Sequence, residues 1–397
     1  MRKLTTAAVF LLLLAGLSAS AQDSTSTDEQ SLGDVARQTR QEVKDRDAQA
    51  AQGKVPPRKV IEMSSAAEAN NGVRDLVTKN APQQQGAKPN TWSGDDLKQL
   101  QAAADRARLD RRRLPGGIWQ LHEFYDIVTN PPGGTQAPEW QWQALVGRLE
   151  QWTKMMPDSY SAKIALAQAH LNWGWKERGS GYADSVSDGG WKALDAHANA
   201  AMALIKDPQV LNSDDPYRYE VLMQLGLIAG SDKATMQRIF ERAISQEPDY
   251  YHYYRLYANY LQEKWYGAPG EVQAFAQTSA NRVGGQQGDF IYFEIASLIA
   301  CNCDMTGAKL AGMSWPRIKS GYEAMENLYG TSMLKRNRMA MMASQAGDVA
   351  MAQKMFQEIG ESWDPAVWHS QAIFVRAKAA ALAGQSSRPG VTNLQGK

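Results

Sequence analysis

Residues 240–261 read FERAISQEPDYYHYYRLYANYL, and this stretch decides the class of fold. Phe240 and Ala243 share one face of a helix, and Pro248 ends that helix because proline cannot donate the next backbone hydrogen bond. Residues 254–261 then carry large apolar side chains three and four positions apart, which is the spacing of a second helix. A large residue, a small residue and a terminal proline are typical of two antiparallel helices packed as a pair.

The same pattern returns elsewhere in the chain, which indicates a helical-repeat protein. Weaker copies begin at Leu145, Ala196 and Ala352, and each is followed by a proline that would end the helix. A tetratricopeptide repeat is such a helix pair in about 34 residues, but the copies here are unevenly spaced. The sequence therefore predicts an all-α fold, an irregular tetratricopeptide-like α-solenoid of antiparallel helix pairs.

The N-terminus has the pattern of a cleavable signal peptide over residues 1–21. Arg2 and Lys3 are followed by the apolar run Ala7–Leu17 and by the small-residue sequence Ala19-Ser20-Ala21. The apolar run is shorter than the roughly 20 residues that a transmembrane helix needs. We therefore expect cleavage after Ala21 and a periplasmic or secreted protein without a membrane span.

Composition divides the rest of the chain into three parts. Residues 22–90 are rich in Ser, Thr, Asp, Gln, Ala and Pro and poor in aromatic residues, which predicts a disordered linker. A short helix around Ser64–Val77 is compatible with this stretch. The helical repeat domain is expected over residues 91–384, followed by a flexible C-terminal tail over residues 385–397.

The first helix of the predicted domain has a clear start. Ser93 can cap a helix whose first turn carries Asp95 and Asp96, since acidic residues are favourable at a helix N-terminus. The pattern stops at Leu114-Pro115. This segment carries both acidic and basic residues, so we interpret it as a helix with one solvated face.

Charge and cysteine content restrict the partners and cofactors. The chain has a formal net charge of +1, and loss of the signal peptide leaves it close to zero. A charge this close to neutral argues against broad electrostatic binding to nucleic acid or anionic lipid. Cys301 and Cys303 form a C-x-C without zinc-site spacing, and we interpret them as small buried residues at a helix end, with a redox pair as the alternative.

Two glycine-rich and aromatic-rich segments, residues 173–182 and 264–270, are expected to be breaks between helices, and they hold the candidate binding residues. The candidates are Trp173, Trp175, Arg178, Tyr182, Lys264, Trp265 and Tyr266. One interpretation is that the aromatic rings fix irregular loops to the helical core. The other is a concave aromatic surface, with Arg178 and Lys264 at its edge, that binds a peptide or a glycan, because Trp, Tyr and Arg are enriched at binding hot spots.

Motifs in and around these segments are similar to those of a known family. Residues 175–183 read W-x-x-R-G-x-G-x-A, and residues 248–267 include Pro248-Asp249-Tyr250 and Lys264-Trp265. With Phe275-Ala276 and the closing residues 347–368, they resemble an uncharacterised bacterial family, catalogued as domain of unknown function 4034. The resemblance covers residues 140–384 and departs at Tyr266-Gly267, where a second glycine is expected after the tryptophan. It implies a helical repeat-like fold and assigns no activity or partner.

Local motifs for catalysis and metal binding are missing from the sequence. His122-Glu123 lacks the second histidine four residues on that a zinc-protease helix needs. His170 and His252 lie among apolar and aromatic residues, and we interpret both as packed histidines. There is no nucleophile elbow and no phosphate-binding glycine loop. We therefore expect no catalytic residue, no metal ligand, no cofactor and no enzyme activity.

Three functions are compatible with these patterns. The leading expectation is an exported scaffold that binds a protein or peptide partner. The first alternative is a module that binds envelope carbohydrate or peptidoglycan through exposed aromatic rings. The second alternative is a hydrolase with an unrecognised site, which would need at least two titratable groups meeting in one pocket.

Overall fold

The computed structural model describes residues 63–79, 91–181, 183–300, 310 and 312–384. Within these ranges the chain forms helices and one isolated bridge between Arg113 and Trp119, and it contains no strand. The predicted signal peptide, Tyr182, both cysteines and the predicted C-terminal tail lie outside the described residues. No helix in the described part of the chain is both long enough and apolar enough to span a bilayer.

Helices that are neighbours in sequence pack against one another. In the described ranges they are α1 Met63–Lys79, α2 Gly94–Asp110, α3 Gln120–Val128, α4 Glu139–Met155, α5 Tyr160–Arg178, α6 Asp188–Ile205, α7 Pro208–Leu211, α8 Tyr217–Ile228, α9 Lys233–Gln246, α10 Tyr251–Tyr260, α11 Glu271–Val283, α12 Gly285–Ala300, α13 Trp315–Tyr329, α14 Met333–Ala346, α15 Val349–Ile359, α16 Pro365–Trp368 and α17 Gln371–Leu382. The most extensive pairings join α5 with α6 and α12 with α13. The predicted all-α fold of packed helix pairs is confirmed.

The chain divides into two compact units, and each is described by itself. The N-terminal unit ends at Tyr257, and the C-terminal unit takes the chain from Ala258 onward together with the short segment Pro115–Gly117. The division falls inside α10, so the first part of that helix belongs to the N-terminal unit. The candidate sites below each lie within one unit.

The stretch that predicts the helix pair folds as α9 and the first turns of α10. Phe240 and Ala243 are buried on α9, and the Phe240 ring stacks on Tyr257 with 4.8 Å between centroids. Helix α9 ends two residues before Pro248, whose carbonyl oxygen accepts a hydrogen bond from the Tyr254 hydroxyl at 2.7 Å. The proline therefore separates the two helices, and the small Ala243 allows them to approach.

The short helix that the sequence allows around residues 64–77 is present as α1, and it packs within the N-terminal unit. Val73 and Val77, one helical turn apart, are buried, and the guanidinium of Arg148 on α4 donates to the Val77 carbonyl at 3.1 Å. The folded part of the chain therefore extends upstream of the domain start predicted at residue 91. A composition averaged over a long polar segment hides a short apolar stripe of this kind.

Candidate functional site

The first group of predicted binding residues lies on a helix rather than on a loop. Helix α5 continues through Arg178, so Trp173 and Trp175 occupy its last two turns. Gly174 is a contact point between helices, because a Cβ at this position would lie 3.0 Å from the Cβ of His197 on α6. The expected break at residue 173 is therefore wrong, since the glycine serves close helix packing and not a turn. Trp173 is half-buried, and its ring lies 4.6 Å from the His197 ring.

Arg178 makes hydrogen bonds to the backbone just beyond the C-terminal end of this helix. Its Nη1 atom donates to the carbonyl oxygens of Gly179 and Gly181, each at 3.0 Å. The guanidinium carbon lies 4.8 Å from the ring centre of Trp191. These contacts favour the interpretation in which the side chains fix the segment to the helical core. Tyr182, the remaining candidate of this group, lies outside the described residues.

The second group lies on the loop between α10 and α11, in the C-terminal unit. Lys264 is exposed and Trp265 is half-buried. The Tyr266 ring stacks on Tyr260 with 5.0 Å between centroids, yet 39% of Tyr266 is exposed to solvent. This loop therefore presents an aromatic side chain whose ring is supported on one side.

Backbone contacts hold this loop in a defined conformation. The N–H groups of Trp265 and Gly267 both donate to the Gln262 carbonyl, at 2.8 and 3.2 Å. Gly267 passes so close to Leu261 that a Cβ would lie 1.7 Å from the Leu261 carbonyl oxygen. Only glycine fits there, because any side chain would displace the backbone. Tyr266 is thus presented from a preorganised turn.

Folding brings together a histidine–carboxylate cluster that the local sequence does not reveal. His122, Glu220 and His252 lie in the first turns of α3, α8 and α10, all in the N-terminal unit. Their possible ligand atoms lie within 4.8 Å of one another. His122 and Glu220 are 98 residues apart in the chain, so no motif spacing signals the contact. The sequence interpretation, which took each histidine alone, misses this cluster.

The three side chains are already in contact. His122 Nδ1 lies 3.0 Å from Glu220 Oε1 and 3.1 Å from Oε2, and it can donate to the carboxylate. The imidazole rings of His122 and His252 stack with 3.5 Å between centroids and 17° between planes. The Tyr250 hydroxyl donates to Glu220 Oε1 at 2.5 Å. The carboxylate is therefore held between an imidazole and a phenol.

Burial and charge act in opposite directions on the pKa of His122. Burial lowers this pKa, but the charge of Glu220 and its hydrogen bond to the imidazole raise it, as does the charge of Asp126. Arg255 lowers it. The carboxylates outweigh the other effects, so the pKa of His122 lies above its ordinary value.

A second buried carboxylate, Asp215, lies beside the cluster. The Tyr125 hydroxyl donates to its Oδ2 at 2.6 Å, and the backbone N–H of Tyr217 donates to its Oδ1 at 2.9 Å. The Tyr217 ring in turn lies 5.7 Å from the His122 ring. Burial raises the pKa of Asp215 to about 6, although the hydrogen bonds it accepts counteract part of this shift.

A cleft of about 450 Å³ opens between α1 and the C-terminal end of α3. It is lined by Arg74, Val77, Thr78, Asp126, Ile127, Asn130 and residues 131–135. Asp126 lies one helical turn after His122, so the cleft provides open volume one turn from the cluster. This volume is in the range of small-molecule sites in proteins.

The cluster is chemically capable of two things. A His–Glu pair can move a proton, and two imidazoles with one carboxylate can bind a divalent metal ion. Comparisons of the chain with protein-family models, with curated proteins and with solved structures gave no match. The family resemblance therefore stays a prediction.

Proposed function

We propose that this protein is an exported helical-repeat protein that binds a protein or peptide partner. The observation that carries the proposal is the loop between α10 and α11, which presents Tyr266 from a preorganised backbone. Arrays of packed helix pairs offer extended surfaces, and their irregular loops supply specific contacts. The signal-peptide pattern at residues 1–21 supports a location outside the cytoplasm.

A fixed aromatic side chain is a favourable anchor for a partner. Binding loses free energy whenever a flexible loop must be ordered, and the turn at Gly267 already orders this one. Tyr266 contributes a large contact area with only two side-chain torsions to fix.

The first predicted group, at the end of α5, contributes less to this proposal. Arg178 makes its hydrogen bonds to the chain's own carbonyl groups, and Trp173 packs on His197. These side chains stabilise the end of α5, so their replacement is expected to affect folding more than binding. The test therefore concentrates on the C-terminal unit.

The test is a pull-down with the tagged mature chain from an extract of its own cell envelope, followed by chemical cross-linking. Tyr266→Ala is compared with Met333→Ala, since Met333 is 38% exposed and lies in the same unit. We expect a protein partner whose capture and cross-links at the loop are lost only in Tyr266→Ala. Equal capture by both variants would place the binding surface elsewhere and overturn the role of the loop. Retention of envelope glycan without a protein would favour the carbohydrate alternative instead.

A further inference from the structure

We propose that His122, Glu220 and His252 form a binding site for a divalent transition-metal ion, with Zn²⁺ as the expected ion. The site is independent of the partner-binding loop, because it lies wholly in the N-terminal unit. The observation behind it is that three possible ligand atoms, contributed by three separate helices, lie within 4.8 Å of one another.

The donor set selects the kind of ion. Imidazole nitrogen suits zinc, copper, nickel and iron, whereas magnesium and calcium prefer oxygen donors only. Two histidines and one glutamate are a ligand set that holds zinc with a further position open to water or substrate. The chemistry therefore points to a borderline ion of the zinc type.

The distances between the donor atoms require the imidazole side chains to rotate before an ion can bind. Donors around a tetrahedral zinc at about 2.0–2.1 Å lie about 3.4 Å from one another. His122 Nδ1 and the Glu220 oxygens, at 3.0 and 3.1 Å, are already within this separation. Because the two imidazole rings are stacked, they must turn apart so that one nitrogen of each points at the ion. The nitrogen that binds must also lose its proton, so binding releases protons.

The surroundings of Glu220 fit a ligand role. Its side chain is 4% exposed, so an ionised carboxylate here needs a positive partner. The Tyr250 hydroxyl donates to one of its oxygens and fixes its orientation, which leaves the other oxygen for an ion. Hydrogen bonds of this kind commonly orient metal-binding carboxylates.

Access to the site comes from the side of His122. The His122 side chain is 28% exposed, and those of Glu220 and His252 are buried. An ion can therefore enter at this edge, and a water molecule can occupy the remaining position. Glu220 and Asp126 favour a cation there, whereas Arg255 and the positive ends of three helices oppose it.

The first test is metal titration of the full mature chain after removal of metal with a chelator. Co²⁺ is followed by visible absorption and then displaced by Zn²⁺, which is followed by calorimetry. We expect one Co²⁺ per chain, with the intense visible bands of four-coordinate cobalt, displaced by one Zn²⁺. No saturable binding of either ion would overturn the proposal.

Substitutions of the proposed ligands are compared with a matched control at His197, which belongs to a second histidine pair in the same unit. His122→Gln and His252→Gln should each weaken binding by more than about tenfold. His197→Gln should leave the stoichiometry and affinity unchanged, although its Nδ1 lies 3.0 Å from His170 Nδ1. Unchanged binding in both cluster variants, or loss of binding in His197→Gln, would contradict the assignment.

A measurement on the unaltered chain keeps the proposal testable if a variant fails to fold. X-ray absorption of the zinc-loaded protein should show two imidazole ligands and oxygen donors at about 2.0 Å. One imidazole or none would overturn the site, whatever the variants do. The same spectrum from His197→Gln should be identical, which separates this cluster from the other histidine pair.

Discussion

The N-terminal unit contains two histidine pairs. The pKa values of His122 in one pair and His170 in the other shift in opposite directions, because the carboxylates beside them differ. His122 lies on His252 and makes a short contact with Glu220, which is buried. The carboxylate raises the pKa of His122 above its ordinary value in spite of burial. Charge in contact therefore overrides desolvation at this pair.

The other pair joins His170 to His197, with 3.0 Å between their Nδ1 atoms. Glu177 lies farther away, at 3.6 Å from His197 Nε2, and it is partly exposed. Burial, together with the smaller effect of the neighbouring His197 charge, lowers the pKa of His170 to about 4. The direction in which the pKa of a histidine shifts therefore depends on a buried carboxylate in hydrogen-bond contact, and not on the pairing of two imidazoles.

The largest predicted difference between the two histidine pairs is in the free energy of unfolding that is lost when Glu220 or Glu177 is removed. Glu220→Ala leaves His122 Nδ1 and the Tyr250 hydroxyl without their acceptor, so we expect a loss of about 1–3 kcal/mol in the free energy of unfolding. Glu177→Ala removes a longer, partly exposed contact and should cost less than about 1 kcal/mol. Urea denaturation of the metal-free chain measures both. Equal losses would show that burial of Glu220 carries no special weight.

Asp215 is a buried acid without an imidazole contact, and it shows the effect of burial on the pH dependence of stability. Because the pKa of Asp215 is raised to about 6, its contribution to stability is fully present below about 3.8 and is lost as the pH rises through 6. Asp215→Asn removes this dependence and can still bond to Tyr125. Between pH 4 and 7, the unfolding free energy of the unaltered chain should fall by about 2–3 kcal/mol relative to the variant. Parallel stability curves for the two proteins would contradict the shift.

The smallest predicted effect is the change in the pKa of His170 when His197 is replaced, and it is measured beside the titration of His122. The depressed pKa of His170 makes its stability contribution present above 6.5 and lost as the pH falls towards 4, whereas the raised pKa of His122 gives the opposite slope. Nuclear magnetic resonance of the imidazole protons should find His170 titrating near 4 and His122 above 6.5. In His197→Gln, the pKa of His170 should rise yet stay below 6.5, because burial is its larger cause. A return to 6.5 would make the His197 charge the main cause.

Local sequence was sufficient where the deciding contacts are close in the chain. Ser93 caps α2, and its hydroxyl accepts from the backbone N–H of Asp96, whose carboxylate accepts from the Ser93 N–H in return. The break at Pro248 follows from the chemistry of proline alone. Both features involve residues within a few positions of each other, so pattern and propensity predict them.

Local sequence misled where a residue serves a distant contact. Gly174 looks like a helix break, yet it lies inside α5 because α6 passes within contact distance. Composition likewise predicted a disordered linker with at most a short helix around α1, and it gave no sign that Val73 and Val77 are buried. The partner of each feature is distant in sequence, so its meaning appears only after folding.

The sequence by itself determined an all-helical chain of packed helix pairs, since periodic apolar residues, caps and prolines act over single turns. The tertiary structure was needed to show that His122, Glu220 and His252 meet, and that Tyr266 is exposed while Arg178 bonds to its own chain. It also shows that the pKa values of His122 and His170 shift in opposite directions. The physical reason is the distance along the chain between the residues that interact. Helix formation depends on neighbours three and four residues apart, whereas burial, electrostatics and ligand geometry depend on side chains that meet only when separate helices pack.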